Sequence, residues 1–294
     1  MPTEYFEQRE RALLGQRYEQ LYAAPQQTAE RGVTVSALRT TPEQFAQRAD
    51  FPLEPSPFCK AAFVVHQPDF KPGRHPYHHA GVFYSQEPSA SSAAPLLGVQ
   101  PGMRVLDLCA APGGKSFAAA IQMDNQGEVI SCDLHPHKKK LIQAGADRLG
   151  LSIIKPMTAD GKVRREEWVS AFDLVLVDAP CSGLGVIRKK PDIRYKDPKP
   201  LEDLPQVQQA ILENAAGYVK PGGVLMYSTC TILPRENGEI VSAFLEKHPE
   251  FVREAFELPG AAGRVEAGEI TLWPQVHQTD GFFICKLRKV GEAP

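Results

Sequence analysis

The chain has 294 residues, 43% hydrophobic and 23% charged, which suffices for one large α/β domain with a smaller appendage or for two modest domains. The formal net charge is −2, so a nucleic acid would have to bind a local basic patch rather than a globally basic surface. No apolar run is long enough for a transmembrane helix, and the polar first residues do not resemble a signal peptide. We therefore expect a cytoplasmic protein with no membrane partner.

The cysteines and histidines do not form a recognisable metal site. Six cysteines lack C-x-x-C spacing, which argues against a zinc site and against a disulfide scaffold. The neighbouring His75, His78 and His79 have no cysteine or carboxylate at ligand spacing. The sequence therefore predicts reduced thiols and no bound metal.

The first quarter of the chain predicts a small α+β module. Apolar residues recur at helical spacing through residues 7–24 and indicate one amphipathic helix: they are Leu13, Leu14, Tyr18, Leu21 and Tyr22. Residues 33–38 and 63–65 are typical of strands. Between them a helix should start with Thr41 as N-cap, Pro42 at the first position and Gln44 completing a capping box. We assign residues 1–73 to this module.

From about residue 103 onwards, strand-like and helical stretches alternate. This order is typical of repeated β-α-β units and a parallel sheet; the strand-like runs are residues 105–108, 128–132, 153–157, 174–177 and 225–228. An amphipathic helix precedes the fifth run and should stop at residues 220–223, Lys-Pro-Gly-Gly. Residues 270–273 and 282–287 predict two final strands. The fold class is therefore α/β, a Rossmann-like, mostly parallel sheet with an antiparallel C-terminal strand in residues 74–294.

One turn in this region is typical of a ligand site. An apolar run from Val105 enters the sequence Cys-Ala-Ala-Pro-Gly-Gly, and a helical pattern begins at about Ser116. A strand, a glycine turn and a helix start place free backbone N–H groups at the carboxyl edge of a sheet. We expect an anionic group to bind there.

Acidic residues end four successive strands of the predicted sheet. They are Asp107, Asp133, Asp160 and Asp178, and Asp133 follows Lys115 by eighteen residues, where doubly wound folds place a carboxylate on ribose hydroxyls. Since the carboxyl ends of parallel strands meet at one edge, all four should face one crevice. The alternative is that each caps the following helix, which is reasonable for one aspartate but not for four in succession.

Three motifs resemble those of a known enzyme family. They are Asp107-Leu-Cys-Ala-Ala-Pro-Gly-Gly-Lys115, Asp178-Ala-Pro-Cys-Ser-Gly183 and Tyr227-Ser-Thr-Cys-Thr231. In this order, each at a predicted strand end, they closely resemble the RNA cytosine carbon-5 methyltransferases of the Nol/Nop/Sun family, especially the bacterial small-subunit ribosomal RNA enzymes of the B and F types. The resemblance covers most of residues 100–290.

The resemblance implies S-adenosylmethionine as cofactor. Carried over by position, Asp133 would bind the ribose, Asp160 the adenine edge, and Asp178 would lie near the sulfonium. The methionine portion would be held by the turn, namely Cys109, Ala110, Ala111, Pro112, Gly113, Gly114 and Lys115.

The resemblance also implies covalent catalysis by one of two cysteines. Carbon 5 of cytosine is a poor nucleophile, and a thiolate adding at carbon 6 makes it reactive. By motif position Cys230 is the nucleophile, Cys181 helps to release the product, Asp178 interacts with ring nitrogen 3 and Lys115 positions the base. Without the flanking motifs, Cys181 and Cys230 could equally well be two more buried thiols. For Cys109, Cys132 and Cys285 the buried interpretation is the favoured one.

A basic loop follows the second motif. Within twelve residues the sequence has Tyr195 and six cations: Arg188, Lys189, Lys190, Arg194, Lys196 and Lys199. A lone basic loop is usually solvated surface. Next to an active-site motif, and with an aromatic residue for stacking, it predicts a contact with the RNA backbone.

These observations predict a monomeric enzyme that methylates a cytosine in structured RNA, with ribosomal RNA as the substrate. The target base would have to be flipped into the pocket. Transfer RNA is the alternative substrate on the same fold. A catalytically idle RNA-binding or assembly protein is the alternative from another class, and the presence of Lys115, Asp178, Cys181 and Cys230 speaks against it. Methylation of a small molecule or a protein would not need paired cysteines.

Overall fold

The computed structural model describes residues 4–22, 31–67, 69–195 and 201–291. Its N-terminal part contains a four-stranded antiparallel sheet in the order β2-β3-β1-β4. The elements of this part are α1 (Glu4–Leu14), α2 (Arg17–Tyr22), β1 (Arg31–Val35), α3 (Pro42–Arg48), β2 (Leu53–Pro55), β3 (Ala62–Val65), α4 (Pro76–His79) and β4 (Phe83–Ser85).

The rest of the chain builds an eight-stranded sheet and one short hairpin. Its elements are α5 (Pro88–Ser91), β5 (Arg104–Asp107), α6 (Gly114–Gln122), β6 (Glu128–Asp133), α7 (Pro136–Leu149), β7 (Ile154–Thr158), β8 (Phe172–Asp178), α8 (Leu204–Tyr218), β9 (Val219–Thr229), α9 (Gly238–Lys247), β10 (Phe251–Arg253), β11 (Phe256–Glu257), β12 (Arg264–Val265), β13 (Glu269–Leu272), α10 (Pro274–His277) and β14 (Phe282–Lys289). No helix in the described ranges is long and apolar enough to cross a membrane.

The large sheet confirms the predicted fold class. Its strand order is β10-β14-β9-β8-β5-β6-β7, with β13 paired to β14. Strands β5 to β9 run parallel, whereas β14 runs antiparallel to β9, with Phe283 opposite Thr229. The carboxyl ends of β5, β6, β8 and β9 therefore lie along one edge, which is where a ligand crevice forms in an open α/β sheet.

Both faces of the sheet are covered, because the side chains of its strands alternate between two apolar layers. Val105 packs with α6 and α7 on one face, and the adjacent Leu106 packs with α8 and α9 on the other. Both side chains are fully buried. This packing makes the central strands a rigid support for the loops at their carboxyl ends.

The helix predicted over residues 7–24 is wrong in one respect. It is broken into α1 and α2 at Gly15, whose φ of 53° lies in the left-handed region and ends α1. Residues 23 and 24 lie outside the described residues. The break turns α1 so that Phe6 packs against Leu184 and Leu233, which belong to two loops of the large domain.

The N-terminal strands differ slightly from the prediction. The strand expected over residues 33–38 ends at Val35, because a turn with an Arg39 N–H to Ser36 carbonyl hydrogen bond follows. Thr41 is confirmed as the N-cap of α3, since its side chain accepts from the Gln44 N–H at 3.2 Å. The Gln44 side chain accepts from the Thr40 hydroxyl at 3.3 Å. Strand β4 was not predicted, and through it the chain beyond residue 80 still pairs with β1.

Candidate active site

The glycine turn after β5 has the predicted strand–turn–helix arrangement. Helix α6 begins at Gly114, two residues before the expected start. Its N-cap Gly113 has a φ of 116°, and a Cβ there would lie 2.3 Å from the Phe117 ring. A side chain is therefore excluded both by backbone conformation and by space. The Ala110 N–H donates to the Cys132 carbonyl at 2.7 Å, which fixes the turn to the end of β6.

A cavity of about 620 Å³ opens beside this turn. It lies between the turn, helices α6 and α7, and the segment leading from the N-terminal sheet. Its lining includes Cys109, Ala110, Ala111, Pro112, Gly114, Lys115, Asp107, Asp178, Gln86 and Glu87. Since apolar turn residues, one cation and several carboxylates share the wall, the cavity suits a ligand that carries both charges.

Asp107 places a buried carboxyl in the wall of the cavity. Its Oδ2 accepts from the Ser116 hydroxyl at 2.8 Å, and the Ser131 hydroxyl donates to Ser116 at 2.8 Å. Its Oδ1 is buried without a hydrogen-bond partner among the described residues. Burial raises the pKa of Asp107 to about 7. A ligand that donates a hydrogen bond or brings a positive charge would offset this desolvation.

Asp133 and Asp160 lie at the same edge of the sheet but not in the wall of this cavity. The buried Asp133 accepts from the His135 N–H at 3.1 Å, and Lys138 Nζ lies 3.5 Å from the same oxygen. Asp160 accepts from the Lys162 N–H at 2.9 Å. Asp133 does not cap the helix that follows it, because the N-cap of α7 is His135. The structure thus brings Asp107 and Asp178 together and leaves the other two carboxylates to one side.

Lys115 and Asp178 form an ion pair at the centre of the edge. The nitrogen Nζ of Lys115, which is 9% exposed, lies 2.7 Å from Oδ2 of Asp178. The second oxygen of Asp178 accepts from the Ser228 hydroxyl at 2.7 Å. The Lys115 ammonium also lies 5.1 Å from the centre of the Phe282 ring. These contacts join the ends of β8 and β9 to the start of α6.

The two predicted cysteines meet beside this pair. The sulfur atoms of Cys181 and Cys230 are 3.3 Å apart, although the residues are separated by 49 positions in the sequence. A hydrogen bond from the Cys181 thiol lowers the pKa of Cys230, as do the charges of Lys115 and Lys190. The same hydrogen bond and burial raise the pKa of Cys181 well above its usual value. The pair is therefore asymmetric, because Cys230 loses its proton more readily than Cys181 does.

Three other cysteines behave as expected for small hydrophobic residues. Burial raises the pKa of Cys132 to about 12 and that of Cys109 and Cys285 well above the usual range. Cys109 lies in the cavity wall, but its thiol is held protonated by burial and by neighbouring carboxylates. It is therefore not the reactive cysteine.

The basic loop differs from the prediction, because two of its cations are already paired. Arg188 and Lys189 contact the buried Asp280, at 3.3 and 2.8 Å. Lys190 is exposed, and the Tyr195 side chain is 57% exposed. Lys196 and Lys199 lie outside the described residues. Within the described part of the loop, Lys190 and Tyr195 are the residues most available to a ligand.

Of the three neighbouring histidines, His75 has a partner at each ring nitrogen, whereas Nδ1 of His78 is buried without a hydrogen-bond partner among the described residues. His75 Nε2 lies 3.0 Å from an Asp50 oxygen, and its other ring nitrogen accepts from the Tyr77 N–H. Burial and the charge of Arg148 lower the pKa of His78 to about 4. Among the residues that the structure describes, no group of three His, Cys, Asp or Glu side chains could hold a metal ion.

Sequence reasoning missed the side chains that hold the two cysteine loops. Glu236 and Asn237 are almost completely buried between these loops, and Gln208 of α8 joins them. A sequence signal for them is weak, because Pro234-Arg-Glu-Asn237 resembles an ordinary polar turn before a helix. The one useful signal is that this tetrapeptide follows Cys230 closely in the sequence.

Comparison with known proteins agrees with this geometry. Residues 94–288 match the family model described as 16S rRNA methyltransferase RsmB/F, and residues 1–88 match the N-terminal domain of 16S rRNA methyltransferase RsmF. A crystal structure of a methyltransferase homolog protein from Pyrococcus horikoshii is 27% identical, with a TM-score of 0.83, and the match covers 98% of this chain and 95% of that one.

Two curated relatives extend the comparison. The probable ribosomal RNA small subunit methyltransferase B of Bacillus subtilis is 46% identical over 70% of this chain, and the ribosomal RNA small subunit methyltransferase F of Erwinia tasmaniensis is 32% identical over 94%. The matches span 47% and 61% of the lengths of these relatives. Since the first family model spans about two thirds of the chain, the chain belongs to the 16S rRNA methyltransferase RsmB/F family.

Proposed function

We propose that this chain is an S-adenosylmethionine-dependent RNA methyltransferase that modifies carbon 5 of a cytosine in small-subunit ribosomal RNA. The observation that carries the proposal is the pair of thiols 3.3 Å apart beside the Lys115–Asp178 ion pair. A binding protein or a methyltransferase for oxygen or nitrogen atoms has no need for two cysteines in contact at one site. The names of the curated relatives favour ribosomal RNA.

The cavity suits S-adenosylmethionine, which supplies the methyl group when it is bound. The unpartnered Oδ1 of the buried Asp107 and the carboxylate of Asp178 suit the cationic groups of this molecule. The backbone of the turn, with Lys115, suits its carboxylate. We assign the methionine portion to residues 109–115, the ribose to Asp133 and the adenine edge to Asp160. The last two assignments require the cofactor to extend past the cavity towards the ends of β6 and β7.

The chain's own residues then activate the cytosine. The Cys230 thiolate adds to carbon 6 and forms a carbon–sulfur bond, while Asp178 in its protonated form donates its proton to ring nitrogen 3 and so neutralises the negative charge that develops on the ring. Carbon 5 becomes nucleophilic and takes the methyl group. A base then accepts the proton at carbon 5 while the carbon–sulfur bond breaks and Cys230 leaves as its thiolate. We assign this base to Cys181 in its thiolate form, which becomes a thiol in the step, since its sulfur lies 3.3 Å from the Cys230 sulfur. Lys115 positions the base.

The target cytosine has to leave its stack before it can reach Cys230. Cys230 is only partly exposed, and enzymes that act on bases in folded nucleic acid extrude the base to reach it. We infer that the N-terminal module and the loop after Cys181 bind the surrounding RNA. Transfer RNA remains the alternative substrate.

Methyl transfer assays test the proposed function. Radiolabelled S-adenosylmethionine should label 16S ribosomal RNA or 30S particles from a strain that lacks the enzyme, and bisulfite sequencing should show a protected cytosine at one position. A preparation of transfer RNA gives the comparison. Labelling of transfer RNA alone would exclude ribosomal RNA as the substrate, and failure to bind S-adenosylmethionine in calorimetry would favour an idle RNA-binding protein.

The RNA contact of the basic loop can be tested separately. For Lys190→Gln we expect weaker RNA binding at low salt and a salt slope reduced by about 0.7–0.9, the value for one phosphate contact. Tyr195→Ala should weaken binding at all salt concentrations without changing the slope, because stacking involves no counterion release. Lys155→Gln is the control, since Lys155 is an exposed lysine towards the opposite edge of the sheet. Equal slopes for Lys190→Gln and the unmodified chain would remove Lys190 from the RNA interface.

A further inference from the structure

Two adjacent residues link the loops that carry the cysteines. Glu236 is fully buried and ends a 3-10 turn at Pro234–Glu236, and Asn237, which is 2% exposed, precedes α9. Neither side chain lines the cofactor cavity. Their side chains bond to Ser182, which follows Cys181, and to Thr229 and Thr231, which flank Cys230.

The Cys181 loop is held on both sides by one carboxylate and one amide. The Ser182 N–H donates to Oε2 of Glu236 at 2.8 Å. The Gln208 amide donates to the same oxygen at 3.0 Å and to the Pro180 carbonyl at 2.9 Å. The backbone groups that flank Cys181 are thus fixed to a common anchor, and the thiol between them has little freedom to move.

The Cys230 loop is held in the same way by Asn237. The Thr229 hydroxyl donates to the side-chain oxygen of Asn237 at 2.6 Å, and the Asn237 amide donates to the Thr231 carbonyl at 3.0 Å. The hydroxyls of Ser182 and Thr231 are 2.8 Å apart and join the two loops directly. Both neighbours of Cys230 are therefore bonded to Asn237, and those of Cys181 are bonded to Glu236 and to its partner Gln208.

We propose that Glu236 and Asn237 are positioning residues that set the distance and orientation of the Cys181 and Cys230 thiols. Buried polar groups are normally hydrogen-bonded, so burial alone would indicate only a structural role. The placement of the bonds argues for more, because Asn237 bonds both neighbours of Cys230, and Glu236 bonds the residue after Cys181 directly and the residue before it through Gln208. The catalytic consequence rests on the proposed function, since it requires the thiols to act on one cytosine.

The distance between the thiols can be tested without RNA. Reduced protein is equilibrated with glutathione disulfide, which oxidises the two thiols to a disulfide and releases two molecules of glutathione. The ratio at equilibrium, measured by peptide mass mapping, gives the effective concentration of one thiol towards the other. We expect Asn237→Ala to lower this value by about tenfold or more, since the Cys230 loop loses both of its side-chain anchors.

Kinetic measurements test the catalytic consequence. A shift of about 1 Å in a reacting group can lower a rate by about 100-fold, so Asn237→Ala should lower kcat by about that factor and leave KM for RNA within about twofold. Glu236→Gln keeps an oxygen acceptor for the Ser182 N–H and should retain most of the activity and of the effective concentration. Glu236→Ala should lose both, and this pair carries the test if Asn237→Ala does not fold.

Asn125→Ala is the matched control. The Asn125 side chain also bridges two backbone groups, donating to the Gly150 carbonyl and accepting from the Ile153 N–H, but it does so at the opposite edge of the sheet. The Asn125→Ala substitution should lower thermal stability without changing the thiol equilibrium. An unchanged effective concentration in Asn237→Ala and Glu236→Ala would overturn the proposal. If the variants change the effective concentration but the unmodified chain methylates no RNA, the proposed function is refuted and the positioning of the thiols is still supported.

Discussion

Cys230→Ala is expected to abolish methyl transfer, with a loss on the order of 10⁴-fold or more, because the covalent step depends on this nucleophile. The alanine side chain has no atom that can add to carbon 6 of the base. Binding of S-adenosylmethionine should be unchanged, since the cavity is lined by other residues. Transfer of a radiolabelled methyl group and calorimetry measure the two properties separately.

Cys181→Ala is expected to block a later step, after the covalent bond between Cys230 and the base has formed. If Cys181 releases the product, RNA remains attached to Cys230, and a slowly migrating RNA–protein adduct accumulates on a denaturing gel. Cys59→Ala serves as control, since Cys59 is a buried thiol of the N-terminal part. Appearance of the adduct in the Cys230 variant instead would exchange the two roles. The effect is large because the half-buried pair has no other thiol in hydrogen-bond contact within the described residues.

Lys115→Met is expected to lower kcat by about 10²–10³-fold, the usual effect of removing a group that stabilises transition-state charge. The change leaves Asp178 without its ion pair and removes a positive charge that lowers the pKa of Cys230. The fraction of Cys230 thiolate should fall, so the pH at which activity rises should shift upwards. The pH dependence of kcat measures this shift.

Lys220→Met provides the comparison for that variant. Lys220 also lies 2.7 Å from an aspartate, Asp173, but at the opposite edge of the sheet. Loss of this partly exposed ion pair should lower the free energy of unfolding only slightly, and the pH dependence of kcat should not change. If both variants lost activity equally, the effect of Lys115→Met would come from lost stability and not from the chemistry.

The sequence is most informative where local patterns determine structure. The continuous apolar runs of β5 and β8 and the strand–turn–helix pattern around Gly113 are properties of short segments, and the structure has both. The sequence places Cys181 and Cys230 each just beyond a predicted strand, and the structure adds that these two strands are parallel neighbours. The parallel sheet then requires them to lie close together.

Contacts between distant segments could not be predicted in the same way. Asp280 pairs with Arg188 and Lys189, and nothing near any of these residues indicates that a buried acid would neutralise a loop about ninety positions earlier. Glu236 and Asn237 were missed for the same reason, since their partners are defined by tertiary structure. The break at Gly15 was missed because the apolar spacing continues on both sides of it.

The pairing of β14 with β9 determines when the active site can form during synthesis. Strand β9 leads directly to Cys230. Until residues 282–289 have emerged from the ribosome, β9 is an edge strand that is paired on one side only, with β8. The glycine turn and the cofactor cavity are complete much earlier in the chain. A nascent chain can therefore fold around its cofactor before Cys230 is in place. Catalytic activity then appears only after β14 has paired with β9.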